Sequence, residues 1–238
     1  MSRRFFCETP LASMSAGATV PLVGDEAHHL ARVMRAKVGD EIELFDGNGG
    51  FCPARILHIT KQAADLELLT QPQVEPTAAT ELILAVALPK GDRQHWLIEK
   101  CTELGVAHLI PLSTANSVAE ANDTARERMR RWALEACKQC GRNRLLEIHA
   151  PLSLAELRAK FAKHPCRLVA DPGEQGLGAI VREIPNSAVV VIGPEGGLLA
   201  EEVAALTTAG WQAVQLGPQI LRIETAAIAV AVFFLLQG

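Results

Sequence analysis

Val191-Ile192-Gly193-Pro194-Glu195-Gly196-Gly197 is an apolar run that breaks into a glycine turn. A second turn, Gln215-Leu216-Gly217-Pro218, leads through Leu221-Arg222-Ile223-Glu224-Thr225 into the wholly apolar run Ala226–Leu236. A buried strand, a glycine turn and a helix, twice over, point to an open α/β sheet, where ligands bind beyond the carboxyl ends of the strands. Glycine there lets the backbone approach a ligand and expose its N–H and C=O groups. Either turn alone could equally be a tight strand–helix connection. Neither has the G-x-x-x-x-G-K-[ST] spacing of a phosphate loop or the G-x-G-x-x-G of a dinucleotide site, so nucleotide hydrolysis and hydride transfer lose support.

Outward from these turns the same rhythm runs back to Glu81. Strands are expected at Leu82–Leu88, Leu109–Leu112, Leu168–Ala170, Ala188–Ile192 and Ala213–Leu216. Helices are expected at Trp96–Leu104, Thr124–Cys140, Leu154–Lys163, Ala200–Thr208 and from about Thr225 onward. Alternation of this kind implies a mostly parallel sheet covered on both faces. A terminal helix with no polar side must be enclosed, within its own domain or between subunits, and a homodimer is the expectation.

Before Glu81 the pattern is different. Glu41–Asp46 alternates polar and apolar, Gly47-Asn48-Gly49-Gly50 makes a turn, and Phe51–Ile59 and Ala64–Leu69 read as further strands. Asp25 is placed to cap a helix from Glu26 to about Ala36. This predicts a small β-barrel over residues 1–72. Gln71–Thr80, with two prolines and little periodicity, holds the linker, set at 73–80, and residues 81–238 form the α/β domain.

The chain has 238 residues, 49% hydrophobic and 21% charged, enough to bury a core without disulfide or metal staples. Ser2-Arg3-Arg4 leads into only three apolar residues, and Ala226–Leu236 is far short of the ~20 needed to span a bilayer, so a soluble cytoplasmic protein is expected. Net charge is −4, yet the segment Arg126–Arg144 holds seven Lys/Arg against two Glu. Such a local stripe suffices to hold phosphates. Arg128, Arg131, Lys138 and Arg142 are expected on one side of the long helix, whose other side carries Met129, Trp132, Ala133, Ala136, Cys137 and Cys140. Cys137 and Cys140 form a C-x-x-C, but no second pair or suitably spaced histidine pair accompanies them, so no metal site is expected.

The turns also carry a resemblance. Gly193-Pro194-Glu195-Gly196-Gly197 with Leu216-Gly217-Pro218-Gln219-Ile220-Leu221-Arg222-Ile223-Glu224-Thr225-Ala226 resembles the paired signature of the 16S rRNA (uracil-N3)-methyltransferases, the RsmE type of the SPOUT superfamily. Supporting matches span the chain: Arg3-Arg4-Phe5-Phe6, His28-His29-Leu30, Lys90-Gly91-Asp92-Arg93, Thr102-Glu103-Leu104-Gly105 and Glu135–Arg142. The chain departs from the pattern at Asn116, Gln219 and Ile223.

The resemblance implies a C-terminal trefoil-knotted α/β domain, an N-terminal PUA-like RNA-binding domain, a homodimer, and S-adenosyl-L-methionine (SAM) as cofactor. It places that cofactor against Ile192, Gly193, Glu195, Gly196 and Gly197, and against Leu216, Gly217, Leu221, Thr225 and Ala226. It implies methylation of uracil N3 in small-subunit rRNA. Charges between a glycine turn and an apolar helix are costly unless paired or met by a ligand, so Arg222 and Glu224 are the expected catalytic residues, with a structural ion pair as the alternative. Arg222 would stabilise negative charge, and Glu224 would orient it or take the N3 proton, with Glu195 in reserve as base. The RNA would lie against Arg3, Arg4, His28, His29, Arg32 and Arg35, against Lys90 and Arg93, and against the long helix. Ribose 2′-O-methylation on the same fold and a non-catalytic RNA-binding assembly factor are the alternatives. A small-molecule hydrolase is disfavoured because the turns show no nucleophile–base pair.

Overall fold

The computed structural model describes residues 3–117, 121–172 and 175–236. The chain divides into two compact units, Met1–Thr77 with Leu134–Leu145, and Ala78–Ala133 with Leu146–Gly238.

The first unit contains β1 (Arg4–Phe6), β2 (Thr19–Val23), α1 (Gly24–His28), β3 (Glu41–Phe45), β4 (Gly50–Ile59), β5 (Ala63–Leu68) and β6 (Gln73–Val74). Strand order is β1-β3-β4-β5-β2, with β6 paired to the start of β4, and only the β1–β3 pair is parallel. Alternate residues of β4 and β5 point into one core with Phe5, Leu22 and Leu44. The 46–50 turn closes on Asp46, whose buried carboxylate accepts the N–H groups of Leu11, Asn48 and Gly50.

Several expectations need correcting here. No ladder joins β1 to β2 among the described residues, so the hydrogen bonding stops short of a closed barrel. β1 and β2 are strands that periodicity did not reveal, since one is three residues long and the other contains Pro21. The first helix begins at Gly24, with Val23 at its N-cap and Asp25 inside its first turn. It continues as a wider helical turn over His29–Val33 and ends on Arg35, held at φ 51. The segment read as a linker starts with β6, and Glu75 then accepts the Asn143 N–H at 2.7 Å.

The second unit runs β7 (Glu81–Val86), α2 (Asp92–Glu103), β8 (His108–Ser113), α3 (Asp123–Cys140), β9 (Glu147–Ile148), β10 (Leu152–Ser153) and α4 (Leu154–Lys160). It continues with β11 (Arg167–Ala170), α5 (Leu177–Ile180), β12 (Ser187–Ile192), α6 (Ala200–Thr208), β13 (Gln212–Val214) and α7 (Ile223–Leu235). The last turns of α3, from Leu134, belong to the first unit. Every strand pairing is parallel, in the order β10-β8-β7-β12-β11-β13 with β9 beside β8. Both faces are buried: Leu82, Leu84 and Val86 pack in one core with residues of α2, α3 and α7, while Ile83 and Ala85 pack in another with Leu157 of α4 and Leu206 of α6. That is why the strand runs are continuously apolar.

The helices start where local chemistry allows. Asn122 Oδ1 accepts the Ala125 N–H at 2.9 Å at the start of α3, and Ser153 and Glu156 form a reciprocal capping box on α4. Helix α7 buries Ala226, Ala227, Val230, Ala231 and Phe234, each large apolar side chain contributing roughly 1.5–3 kcal/mol.

Cys137 lies in the core as expected, whereas Cys140 ends α3 in an exposed position and does not share that packing. Burial pushes the Cys137 thiol up to about 12, and burial, with the Asp46 charge second, pushes Cys7 up to about 12. At about pH 8 each would hold roughly one thiolate in ten thousand, and the thiolate is the reactive form. Timed alkylation of the native protein with peptide mapping should therefore label Cys140 first and leave Cys7 and Cys137 unmodified until unfolding. Early labelling of Cys137 would contradict the packing.

Candidate functional site

The strands β12, β11 and β13 are neighbours, and their carboxyl ends open into one cavity of about 410 Å³. The turn after β12 contributes Gly193, Pro194, Glu195, Gly196 and Gly197. The turn after β13 contributes Gln215, Leu216, Gly217, Pro218, Gln219, Ile220 and Leu221, and the start of α7 adds Ile223 and Ala226. The size lies within the range of small-molecule sites, and the mix of aliphatic walls with exposed backbone is what such sites use.

Two of the turn glycines have a local reason. A Cβ at Gly193 would lie 2.9 Å from Leu198 Cγ, and Gly197 holds φ +75, which other residues adopt only with strain. A Cβ at Gly217 would meet nothing within 4 Å among the described residues, and this glycine borders the open cavity.

Of the residues expected at the cofactor, Ile192, Gly193, Glu195, Gly196, Gly197, Leu216, Gly217, Leu221 and Ala226 line this cavity. Thr225 does not; it lines a second cavity of about 450 Å³ with Asp92, Arg93, His95, Trp96, Glu99, Arg222 and Glu224. The first turn of α7 thus serves both cavities. Ala170, Asp171 and Pro172 at the end of β11 also border the first one, and burial raises the Asp171 carboxyl above its ordinary value. The signal for them was present: the strand ending at Ala170 was expected, and ligands gather at strand ends.

Arg222 is exposed at the N-cap of α7. Glu224, two residues on, has a side chain only 7% exposed, and its Oε2 has no hydrogen-bond partner among the described residues. The nearest cation recorded for it is Arg93, at 3.9 Å, and Arg93 also bonds Glu195 at 2.6 Å. Arg93, assigned from the sequence to RNA, is therefore the group that links the two glutamates. A buried carboxylate oxygen without a partner is costly, and sites that bind or react retain such groups.

The basic residues separate into two sets. Arg3, His28, Arg32, Arg35, Lys90, Arg128 and Arg131 are exposed, with His29 half-buried. Arg128 donates to Gln94 at 3.2 Å and lies over the Trp132 ring. Arg4 and Lys138 are corrections to the RNA set. Arg4 is bound to Glu43, the Cys137 carbonyl and Asn143, with 11% of its side chain exposed. Lys138 is 7% exposed between Glu26 and Glu135. Each charge is already satisfied inside the first unit. Arg142 lies past the end of α3, half-buried, and desolvation lowers its pKa, so it does not extend the helical stripe. Asn116 donates to the Gly197 carbonyl at 3.4 Å, Gln219 is exposed at the cavity rim, and Ile223 is buried in the core.

A sheet of this kind with its ligand cavity at the strand ends belongs to a class that sequence comparison identifies: residues 76–234 match the RNA methyltransferase domain model and residues 22–69 the RNA methyltransferase PUA domain. A ribosomal RNA small subunit methyltransferase E from Bacillus subtilis is 32% identical over 240 residues, covering 95% of this chain and 93% of the relative. Its counterpart from Synechocystis is 34% identical, covering 88% and 70%. The structure of the Neisseria gonorrhoeae ribosomal RNA small subunit methyltransferase E bound to S-adenosyl methionine superposes with a TM-score of 0.85 at 28% identity, covering 98% of this chain and 96% of that one. The chain belongs to the family of ribosomal RNA small subunit methyltransferase E.

If Glu224 is held for chemistry and not for stability, Glu224→Gln should leave the melting temperature unchanged or raise it, because a poorly partnered buried charge is removed. A fall of more than about 4 °C, on the order of 1 kcal/mol for a chain of this size, would make it a structural ion-pair partner of Arg93. Calorimetry on both proteins decides.

Proposed function

We propose that this chain transfers a methyl group from SAM to N3 of a uridine in 16S rRNA of the small ribosomal subunit. The observation that carries the proposal is the pair of cavities sharing the first turn of α7, one walled by the two glycine turns, the other holding Arg222 and the buried Glu224. The cofactor fits the first: its volume suits a nucleoside-sized ligand, its walls are largely aliphatic, and Gly217 leaves open the space that a side chain would fill. Gly193, Gly196, Gly197, Leu216, Gly217 and Leu221 would hold it. When bound, SAM supplies an electrophilic methyl group on a sulfonium.

What remains for the protein is position and charge. Uracil N3 carries a proton, and each pKa unit above ambient pH costs about 1.4 kcal/mol to ionise. Arg222 stands at the N-terminus of α7, where no side chain caps the helix, so the guanidinium and the helix dipole act with the same sign. Together they stabilise negative charge on the ring oxygens. Glu224 takes the N3 proton, with Glu195 in reserve, and Arg93 holds both carboxylates. N3 lies on the pairing edge, so the target uridine must be unpaired or flipped.

Arg3, His28, Arg32 and Arg35, exposed on the first unit, bind RNA, and so do Lys90, Arg128 and Arg131, exposed on the second. The trefoil knot belongs to the same proposal: Gln215, just after β13, pairs with the earlier segment 175–177, and α7 packs near β7 and β12. A homodimer would cover Val232 on α7 and Leu236 just past its end, exposed at 42% and 59%, and Trp96 at 43%. A cytoplasmic location agrees with the fact that no described helix is long and apolar enough to cross a membrane.

Two variants separate binding from chemistry. Gly217→Ala should keep the wild-type melting temperature and weaken SAM binding at least ~10-fold by calorimetry. Arg222→Ala should bind SAM normally and lose on the order of 100-fold in single-turnover methylation. A wild-type rate for Arg222→Ala would remove this residue from the chemistry.

A further inference from the structure

At the edge of the sheet opposite the glycine turns, where the parallel strands begin, three side chains converge. Residues His108 and Glu147 are register partners in the β8–β9 pair, and His149 lies two residues beyond Glu147, which brings it to the same side of the strand. One donor atom from each of the three falls within 4.8 Å of the others. His108 Nδ1 is 3.0 Å from His149 Nε2 and 3.2 Å from Glu147 Oε2, while His149 Nδ1 is 3.5 Å from Glu147 Oε1. The histidine side chains are 24% exposed and Glu147 62%, so the cluster is open to solvent.

The protons available do not suit this arrangement when both rings are neutral. His108 Nε2 is 3.2 Å from the Glu81 carboxylate, which places its single proton there and leaves Nδ1 a bare lone pair. That lone pair faces a carboxylate oxygen. If His149 gives its one proton to His108 Nδ1, its own Nδ1 is then bare toward Glu147 as well. One added positive charge at the centre removes the conflict.

We propose that His108 Nδ1, His149 Nε2 and the Glu147 carboxylate bind a divalent transition-metal ion, zinc by the chemistry of the donors. Two imidazoles and one carboxylate are a common zinc set, with a solvent molecule in the fourth position. With metal–ligand bonds of ~2.0–2.1 Å, tetrahedral donors stand roughly 3.3 Å apart, close to the 3.0 and 3.2 Å that separate His108 Nδ1 from the other two donors. The surroundings match a metal site as well. Imidazole ligands usually donate their second N–H to a carboxylate, and His108 does so to Glu81, which in turn accepts from Ser187 Oγ at 3.1 Å, itself 2.9 Å from His164 Nε2. The ion would tie the two-residue strand β9 to the starts of β8 and β7 and would touch neither cavity of the methyl-transfer site.

The test uses the full chain, stripped with chelator and titrated with Zn²⁺ by calorimetry and with Co²⁺ by absorption. The expected result is one equivalent bound, a raised melting temperature, and a cobalt spectrum without thiolate ligation. His108→Ala and His149→Ala should each lose at least ~100-fold in affinity, and Glu81→Gln, which touches no metal, about 10-fold. If a histidine variant fails to match the wild-type melt in chelator, the exposed Glu147→Gln serves in its place. Binding unchanged in these variants, cobalt–thiolate absorption, or no binding at millimolar metal would overturn the site.

Discussion

A parallel sheet buried on both faces has nowhere to put chemistry except its two ends. Every side chain of β7 and β12 beyond their first residues is committed to one core or the other, so polar groups along these strands would be stranded. The constraint pushes function to the loops, and it sets the rest of the molecule. At the carboxyl ends the backbone turns on Gly193, Gly197 and Gly217, and the adjacent strands β12, β11 and β13 wall one cavity. At the amino ends Glu81, His108 and Ser187 collect into a polar network.

Helix α7 links this constraint to reactivity. Its inner side fills one core, and its first turn enters both cavities, placing Arg222 and Glu224 where the sheet ends. The buried, poorly partnered Glu224 is stabilised by no full hydrogen-bond set, and the packing of Ile223, Ala226 and Ala227 around it supplies the offset. Position at the site is thus a consequence of hydrophobic burial elsewhere in the same helix.

What could be read from the sequence follows from the range of each signal. Continuous apolar runs revealed β7, β8, β11 and β12, and the glycine turns marked the cavity, because those cues are local. Strands of two or three residues, β1, β6, β9 and β10, leave no periodicity to detect. Arg4 and Lys138 looked like RNA contacts because partners that help to bury them are distant in sequence; Asn143 lies 139 residues from one and Glu26 112 from the other, although Glu135 is only three residues from Lys138. The pairing of Arg93 with Glu195 was hidden for the same reason, since Glu195 is 102 residues away. The His108, Glu147 and His149 cluster escaped notice because parallel pairing joins residues with no regular spacing between them. The family resemblance, by contrast, rests on motifs spread along the whole chain and needed no contact information.

The central claim is methyl transfer to a base, and one measurement tests it most directly: transfer of labelled methyl from SAM to assembled small subunits lacking the modification, followed by nucleoside analysis. The account predicts label in N3-methyluridine. Label on a ribose hydroxyl, or no transfer despite measurable cofactor binding, would contradict it.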